Sequence, residues 1–411
     1  FVVGAFADGA PGNPTTFDAW LADPGWQAAL VGSAIALVLA FSGLEQTWWS
    51  PHPMYKARIA STFALQRGPG PTEASALDAE TWTYLDVWGR PAPSGPQLLV
   101  CATANVEDIS IKPKGTRAVP FVFAHDYVGS PELGWWTTPD FRRCLGQRLA
   151  GDGTLQAATA ISGAAVASGL GVAGRIPTAG TAMALANLRL GVWLPNPRAE
   201  GVAWPTSGRR ADRVRMRRPV WLWREVSGFL PSARRFVYVS DGGHLDNLGL
   251  MELLRRRCAV ILLVDASNDR HGTTRALDGV LRIAGEHLGV TCERDPSASP
   301  VNRAGGAANA AVDCVEVFAV HHPDGTRTTV VHAKARFADT LREDPAVSAL
   351  IAKVGTAGRA WWPWSLGSLP RTGTANQWLT DAQFEGYVRL GRAVGARITE
   401  IDGPCSALRA I

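Results

Sequence analysis

An aspartate followed by two glycines is the feature of this chain that most clearly points to chemistry. Asp241 follows an apolar run, residues 236–239, that predicts a buried strand, and it precedes residues 251–257, which predict a helix. The carboxyl edge of a parallel sheet is where ligands bind and reactions occur in α/β proteins. Gly242 and Gly243 allow a sharp turn and a close approach by another group. Asp241 is therefore a candidate catalytic acid, and the alternative is a structural carboxylate that holds loop amides.

Ser162 is the candidate nucleophile. It lies within residues 160–164, a degraded form of the Gly-x-Ser-x-Gly elbow in which alanine replaces both glycines. Small flanking residues are compatible with a sharp strand-to-helix turn. The alternative is that Ser162 packs within a helix of small residues. No serine of the chain has glycine at both the −2 and +2 positions.

Two further patterns could indicate a nucleotide site and a metal site, and both are weak. Residues 169–174 form a Gly-x-Gly-x-x-Gly sequence, which would indicate a nucleotide-dependent oxidoreductase. A dinucleotide site also needs a preceding strand and an acid about 20 residues later, and neither is expected here. His244 and Asp246 are two residues apart, but no third metal ligand is near, so loop hydrogen bonds are expected. We expect no cofactor and no metal.

The cysteine spacing and the charge distribution limit which redox state and which binding partners are expected. The six cysteines are scattered without Cys-x-x-Cys pairs, which is typical of reduced thiols rather than of a zinc ribbon or a disulfide framework. The formal net charge is +5, and six arginines cluster between Arg209 and Arg218. This cluster predicts either contact with anionic lipids or a solvated loop. No nucleic-acid-binding signature accompanies it, so no nucleic-acid partner is expected.

An uncharged run precedes the main part of the chain. Residues 26–44 carry no charge over nineteen positions, just long enough to cross a bilayer core. Acids alone precede this run, and Lys56, Arg58 and Arg67 follow it. The positive-inside rule then predicts a transmembrane helix with the following domain in the cytoplasm. The alternative is a buried core helix.

The Asp-Gly-Gly block resembles the catalytic aspartate motif of patatin-like and group IV cytosolic phospholipases. Residues 240–265 as a whole resemble large bacterial patatin-like phospholipase-domain proteins. Other stretches resemble the same family in the same order: residues 55–59, 98–105, 121–123 with 129–130, 161–165, 187–193 with 196–197, and 383–387.

The resemblance implies a serine–aspartate dyad that hydrolyses acyl esters of membrane lipids, with Asp241 as the acid. Family members place the serine in an upstream elbow and form the oxyanion hole from a glycine-rich loop. Neither motif is in this sequence, so the resemblance implies the C-terminal part of such a protein, with little or no serine-hydrolase activity of its own. The alternative function is a catalytically inactive, membrane-attached structural or binding domain.

The resemblance and the patterns together predict an α/β fold. We expect a mostly parallel sheet with helices on both faces, of the patatin-like acyl hydrolase type, preceded by a transmembrane helix. Residues 1–50 would form the N-terminal segment and residues 51–411 the α/β domain. The expected location is the membrane, with the main domain on the cytoplasmic side.

Overall fold

Two larger β-sheets and a short hairpin organise the chain in the computed structural model. The structure describes residues 23–43, 50–63, 65–68, 70, 73–76, 97–108, 110–164, 190–199, 224, 230, 232, 234–267, 274–295, 299–301, 311–356, 369–370 and 380–401.

The helices are α1 (Pro24–Gly43), α2 (His52–Phe63), α3 (Thr138–Leu149), α4 (Leu155–Ser162), α5 (Leu250–Arg255), α6 (Arg275–Leu288), α7 (Pro345–Thr356) and α8 (Asp381–Glu400). The strands are β1 (Leu65–Arg67), β2 (Ala74–Ala76), β3 (Leu99–Asn105), β4 (Ala118–Ala124), β5 (Tyr127–Ser130), β6 (Gly134–Thr137), β7 (Val192–Pro195), β8 (Phe236–Ser240), β9 (Val260–Asp265), β10 (Thr291–Cys292), β11 (Val315–His321) and β12 (Arg327–Lys334).

The larger sheet is antiparallel, and the prediction of a mostly parallel sheet is wrong. Its strand order is β6-β5-β4-β3-β8-β7, and every neighbouring pair runs antiparallel. The connections from β4 to β5 and from β5 to β6 are two and three residues long, too short for the crossover that a parallel pair requires. Helices α3 and α4 pack against this sheet, and their buried residues join its core.

The second sheet is mixed. Its order is β10-β11-β12-β9, and only the β12–β9 pair is parallel. Adjacent residues of a strand point to opposite faces. Val330 packs with helices α5 and α6, while Val331 packs with helices α7 and α8. This sheet therefore lies between two helical layers.

A buried cluster of charges joins the two sheets. Glu132, in the turn between β5 and β6, accepts a hydrogen bond from Arg255 of α5 at 2.9 Å. Its same oxygen is 2.7 Å from Nε2 of His287 on α6. The turn of one sheet is therefore tied to the helices that cover the other.

Helix α1 lies where the uncharged run predicts a helix, but the predicted membrane span is not confirmed. Across the residues that the structure describes, no helix combines the length and apolarity needed to cross a bilayer. The prediction of a transmembrane helix over residues 26–44 is wrong. Val31 and Ile35 are 58% and 54% exposed, so they do not lie in a buried core either.

Two local predictions are confirmed. Residues 236–239 lie in strand β8, and residues 251–255 of the predicted helix lie in α5. The turn at Asp324 and Gly325 joins β11 to β12, and Trp193 of β7 packs against Tyr238 of β8 with 5.3 Å between ring centroids. The division at residue 50 and the expected cellular location stay predictions.

Candidate functional site

Asp241 lies directly after β8, in a turn beside the central strand β3. The β3–β8 ladder ends where Ser240 pairs with Thr103, so the turn after Asp241 runs past Cys101 and Ala102. The strand-end position was predicted, whereas the antiparallel direction was not. The hydroxyl of Thr103 donates to the carbonyl oxygen of Gly242 at 3.2 Å and holds the turn against β3.

The two glycines are required by the close packing of this turn. A Cβ atom on Gly242 would lie 2.8 Å from the carbonyl oxygen of Cys101. A Cβ atom on Gly243 would overlap the side-chain oxygen of Asn247. A side chain at Gly242 would therefore clash with the backbone of β3, and one at Gly243 would displace the side chain of Asn247, so the two glycines let this turn pack closely.

Two effects act in opposite directions on the ionisation of Asp241: a hydrogen bond from one amide favours the carboxylate, and burial disfavours it. The backbone amide of Gly243 donates to Oδ1 of Asp241 at 2.6 Å. Burial raises the pKa of Asp241 above its usual value, although that hydrogen bond and the nearby His244 lower it. A carboxylate with a raised pKa is a stronger base than an ordinary surface aspartate.

Ser162, far upstream of Asp241 in the chain, also lies beside Cys101 of β3. Thr154 caps the start of α4 by accepting a hydrogen bond from the amide of Ala157 at 3.2 Å, and Ser162 is the last residue of that helix. Its hydroxyl donates to the carbonyl oxygen of Cys101 at 2.6 Å. Gly242, in the turn after Asp241, lies beside the same oxygen, since an added Cβ atom there would clash with it. The site lies at a helix end rather than at a strand-to-helix elbow.

Tyr55 completes this group of residues. It lies on α2, which packs against α4. Its hydroxyl donates to the carbonyl oxygen of Gly163 at 3.2 Å. Burial raises the pKa of Tyr55, and the negative charge of Asp241 raises it further. The phenol therefore stays protonated and able to donate. Tyr55 falls within a stretch on which the resemblance rests, but nothing in its local sequence indicated this position.

The two other polar residues of the block have structural contacts. Asp246 accepts hydrogen bonds from the amides of Leu248 and Met251, each at 2.8 Å, and so holds the start of α5. His244 Nδ1 lies 3.1 Å from the hydroxyl oxygen of Ser240. Burial lowers the pKa of His244, although the negative charge of Asp241 opposes this effect. Within the described ranges no group of three histidine, cysteine or acidic side chains could hold a metal ion.

The thiol beside the site is not a rival nucleophile. Burial raises the pKa of Cys101 to about 12, and the charges of Asp246 and Glu252 contribute to the rise. The thiolate is the reactive form of cysteine, and it is not populated here at neutral pH. A cavity of about 20 Å³ adjoins Cys101 and Gly242. It has room for about one water molecule, so an ester must approach from the exposed side, at Gly163.

A second polar cluster, which the sequence analysis missed, is buried within the mixed sheet. His332 of β12 is 3.0 Å from Oδ2 of Asp265 and 2.8 Å from Oε1 of Glu316. Lys334 donates to Oδ2 of Asp265 at 2.9 Å, and Arg294 donates to Oε1 of Glu316 at 3.1 Å. The members of this cluster lie on three strands and a loop, so no local pattern in the sequence indicated it.

The charges of this cluster compensate one another. Burial lowers the pKa of His332, but its hydrogen bonds with Asp265 and Glu316 more than offset this and raise it. Burial raises the pKa of Asp265, but its bond with His332 and the charge of Lys334 hold it well below its usual range. The pKa of Glu316 is lowered in the same manner. A protonated imidazole thus bridges two carboxylates.

Comparison with known proteins adds no identification. No protein-family model, curated protein or solved structure matches this chain. The glycine pattern of residues 169–174 and the basic cluster from Arg209 to Arg218 lie outside the described residues. The contact with anionic lipids therefore stays a prediction. The five cysteines within the described part of the chain are free thiols.

Proposed function

We propose that this chain is a serine-dependent acyl-ester hydrolase, with Asp241 as general base and Ser162 as nucleophile. The observation that carries the proposal is that Ser162 bonds to the carbonyl oxygen of Cys101 and that Gly242, the residue after Asp241, lies beside the same oxygen. The raised pKa of Asp241 supports its role as a base. The resemblance to patatin-like phospholipases makes a lipid the expected acyl donor.

The reaction follows from these two side chains. The hydroxyl of Ser162 leaves the carbonyl of Cys101, gives its proton to Asp241 and attacks the acyl carbon. The bond from that carbon to the alcohol oxygen then breaks, and Asp241 returns the proton to the departing alcohol. Water then attacks the acyl-serine and gives one proton to Asp241, which passes it to the departing Ser162 oxygen, so that the carboxylic acid and free Ser162 are released. No histidine is needed, because the carboxylate takes the proton directly.

Turnover should be slow. The hydroxyl of Ser162 donates to Cys101 rather than to the carboxylate, so the proton-transfer geometry is not formed in advance. A helix also ends at Ser162, and a helix C-terminus presents carbonyl oxygens instead of the amides that stabilise an oxyanion. Each missing donor costs about 10² to 10³ in rate.

The replacement of Ser162 tests the proposal. Ser162→Ala should reduce the hydrolysis of a p-nitrophenyl ester to the uncatalysed background, because the covalent route is removed. Ser61→Ala is the matched control, since the exposed Ser61 hydroxyl also donates to a backbone carbonyl, that of Arg58, at 2.9 Å. Equal rates for the wild type and both variants would show that the proposal is wrong. A preference for long-chain over short-chain esters would support a lipid substrate.

A structural or binding domain without catalysis is the second candidate. The observation that favours it is the hydrogen bond from Ser162 to Cys101, which satisfies a carbonyl that lies beyond the β3–β8 ladder. In that case Ser162→Ala should lower the free energy of unfolding by about 1 kcal/mol and change no rate. The same variant therefore separates the two candidates.

A further inference from the structure

We propose that the hydroxyl of Tyr55 is the oxyanion donor of this site. The inference rests on the proposed function. It assigns a catalytic role to a residue of helix α2, which packs against the helix α4 that ends at Ser162. The hydroxyl would donate to the negatively charged oxygen of the tetrahedral intermediate that forms when an acyl ester is attacked.

The position of Tyr55 is what supports this role. Its hydroxyl lies 3.2 Å from the carbonyl oxygen of Gly163, the residue directly after Ser162. A Cβ atom on Gly163 would lie 3.0 Å from the same hydroxyl, so only glycine leaves this approach open. The phenol therefore lies beside the residue that follows the nucleophile, on the exposed side where an ester must enter.

The site needs a donor of this kind. The end of α4 offers carbonyl oxygens, and the backbone amide of Gly163 is already bonded to the carbonyls of Thr159 and Ile161. A side-chain hydroxyl can take the place of an amide, since tyrosine is among the groups that stabilise oxyanions. The bond from Tyr55 to Gly163 is long for a hydroxyl donor, so its exchange for a bond to a full negative charge is favourable.

The protonation state suits a donor. Burial and the charge of Asp241 both favour the neutral phenol. The same arrangement opposes proton loss from Tyr55 when Asp241 is ionised, so base and donor keep separate roles. Tyr55 donates a hydrogen bond to the oxyanion throughout and transfers no proton. Asp241 carries every proton of the cycle.

The experiment compares catalysis with binding of phenylboronic acid. Attack by Ser162 on boron releases a proton to Asp241 and forms a tetrahedral boronate whose hydroxyl stands for the oxyanion. Tyr55→Phe keeps the ring and removes only the donor. It should lower kcat by about 10²-fold or more with little change in KM, and it should weaken the binding of phenylboronic acid at least tenfold.

Lys56→Gln is the matched control. Lys56 also lies on α2 and also donates to a backbone carbonyl, that of Gly151, at 2.9 Å. It should leave kcat and boronate affinity unchanged. Equal losses in Lys56→Gln and Tyr55→Phe would mean that the attachment of α2 matters and that Tyr55 is not the donor.

The two proposals can fail separately. If Ser162→Ala abolishes hydrolysis while Tyr55→Phe keeps full kcat and boronate affinity, the role of Tyr55 is wrong and the proposed function stands. If the wild-type chain neither hydrolyses esters nor binds phenylboronic acid, both are wrong.

Discussion

Asp241→Asn should lower the rate of ester hydrolysis by about 10³- to 10⁴-fold, at the upper end of what a general base contributes. The asparagine has the same shape, and its side-chain oxygen can still accept the hydrogen bond that Gly243 donates at 2.6 Å. It cannot take a proton from Ser162. Initial rates with an excess of p-nitrophenyl ester measure the change.

The same variant should be as stable as the wild type or more stable. Because the folded-state pKa of Asp241 is raised, the folded chain binds more protons than the unfolded chain between the two pKa values. The ionised carboxylate therefore costs stability at neutral pH, and the neutral asparagine removes that cost. Thermal unfolding at pH 7 should give an unchanged or higher Tm.

Asp246→Asn is the control, because it should preserve the rate per folded molecule. Asp246 lies in the same loop, but its two oxygens accept hydrogen bonds from the amides of Leu248 and Met251. Asparagine has one acceptor oxygen, so one bond is lost at a cost of about 1 kcal/mol, and because burial raises the pKa of Asp246 as well, removal of its charge offsets part of that cost. If Asp241→Asn behaved like Asp246→Asn, Asp241 would be a structural carboxylate.

His332→Leu should lower the free energy of unfolding by about 3 to 5 kcal/mol, the cost of removing one partner from a buried ionic group. The substitution leaves Asp265 and Glu316 without the imidazole that bridges them at 3.0 and 2.8 Å. Urea unfolding of both proteins measures the difference. The sheet that holds β9 and β12 depends on this cluster, whereas the Ser162 site lies on the other sheet.

The loss should depend on pH. Because the folded-state pKa of His332 is raised, its contribution is complete below its unfolded value of about 6.5 and is lost as pH rises through the folded value. The carboxylates contribute above their own lowered pKa values. The gap between wild type and variant should therefore be largest near pH 5 to 6 and smaller in alkaline solution.

His321→Gln is the matched control for His332. His321 pairs with Glu293 at 2.9 Å, but both side chains are considerably more exposed. An exposed pair contributes about 0 to 1 kcal/mol, so this variant should unfold nearly as the wild type does. Equal losses in the two variants, or a gap that does not change with pH, would contradict the account of the buried cluster.

Local elements of this fold could be predicted from sequence, and their pairing could not. The apolar run before Asp241 and the Asp324-Gly325 turn are local signals, and both gave the observed strands. Strand direction in a sheet depends on residues far apart, as where Thr103 pairs with Ser240. The resemblance favoured a parallel sheet, but the connections on either side of β5 are too short to join parallel strands.

In the candidate site, too, the local features could be predicted and the long-range contacts could not. Asp241 and Ser162 were selected by residue type and small neighbours, which are local features. Their meeting at Cys101 depends on how α4 packs on β3, and the contribution of Tyr55 depends on how α2 packs on α4. The buried cluster around His332 joins three strands and a loop, so no local pattern contains it.

The most direct measurement of the central claim is the site of reaction with a fluorophosphonate. The probe should form one adduct, which peptide mapping should locate on Ser162, and labelling should fall to background in Ser162→Ala and in Asp241→Asn. This result would establish that the two residues act as one dyad. Absence of an adduct on the folded wild-type chain, or an adduct on another serine that persists in Asp241→Asn, would contradict it.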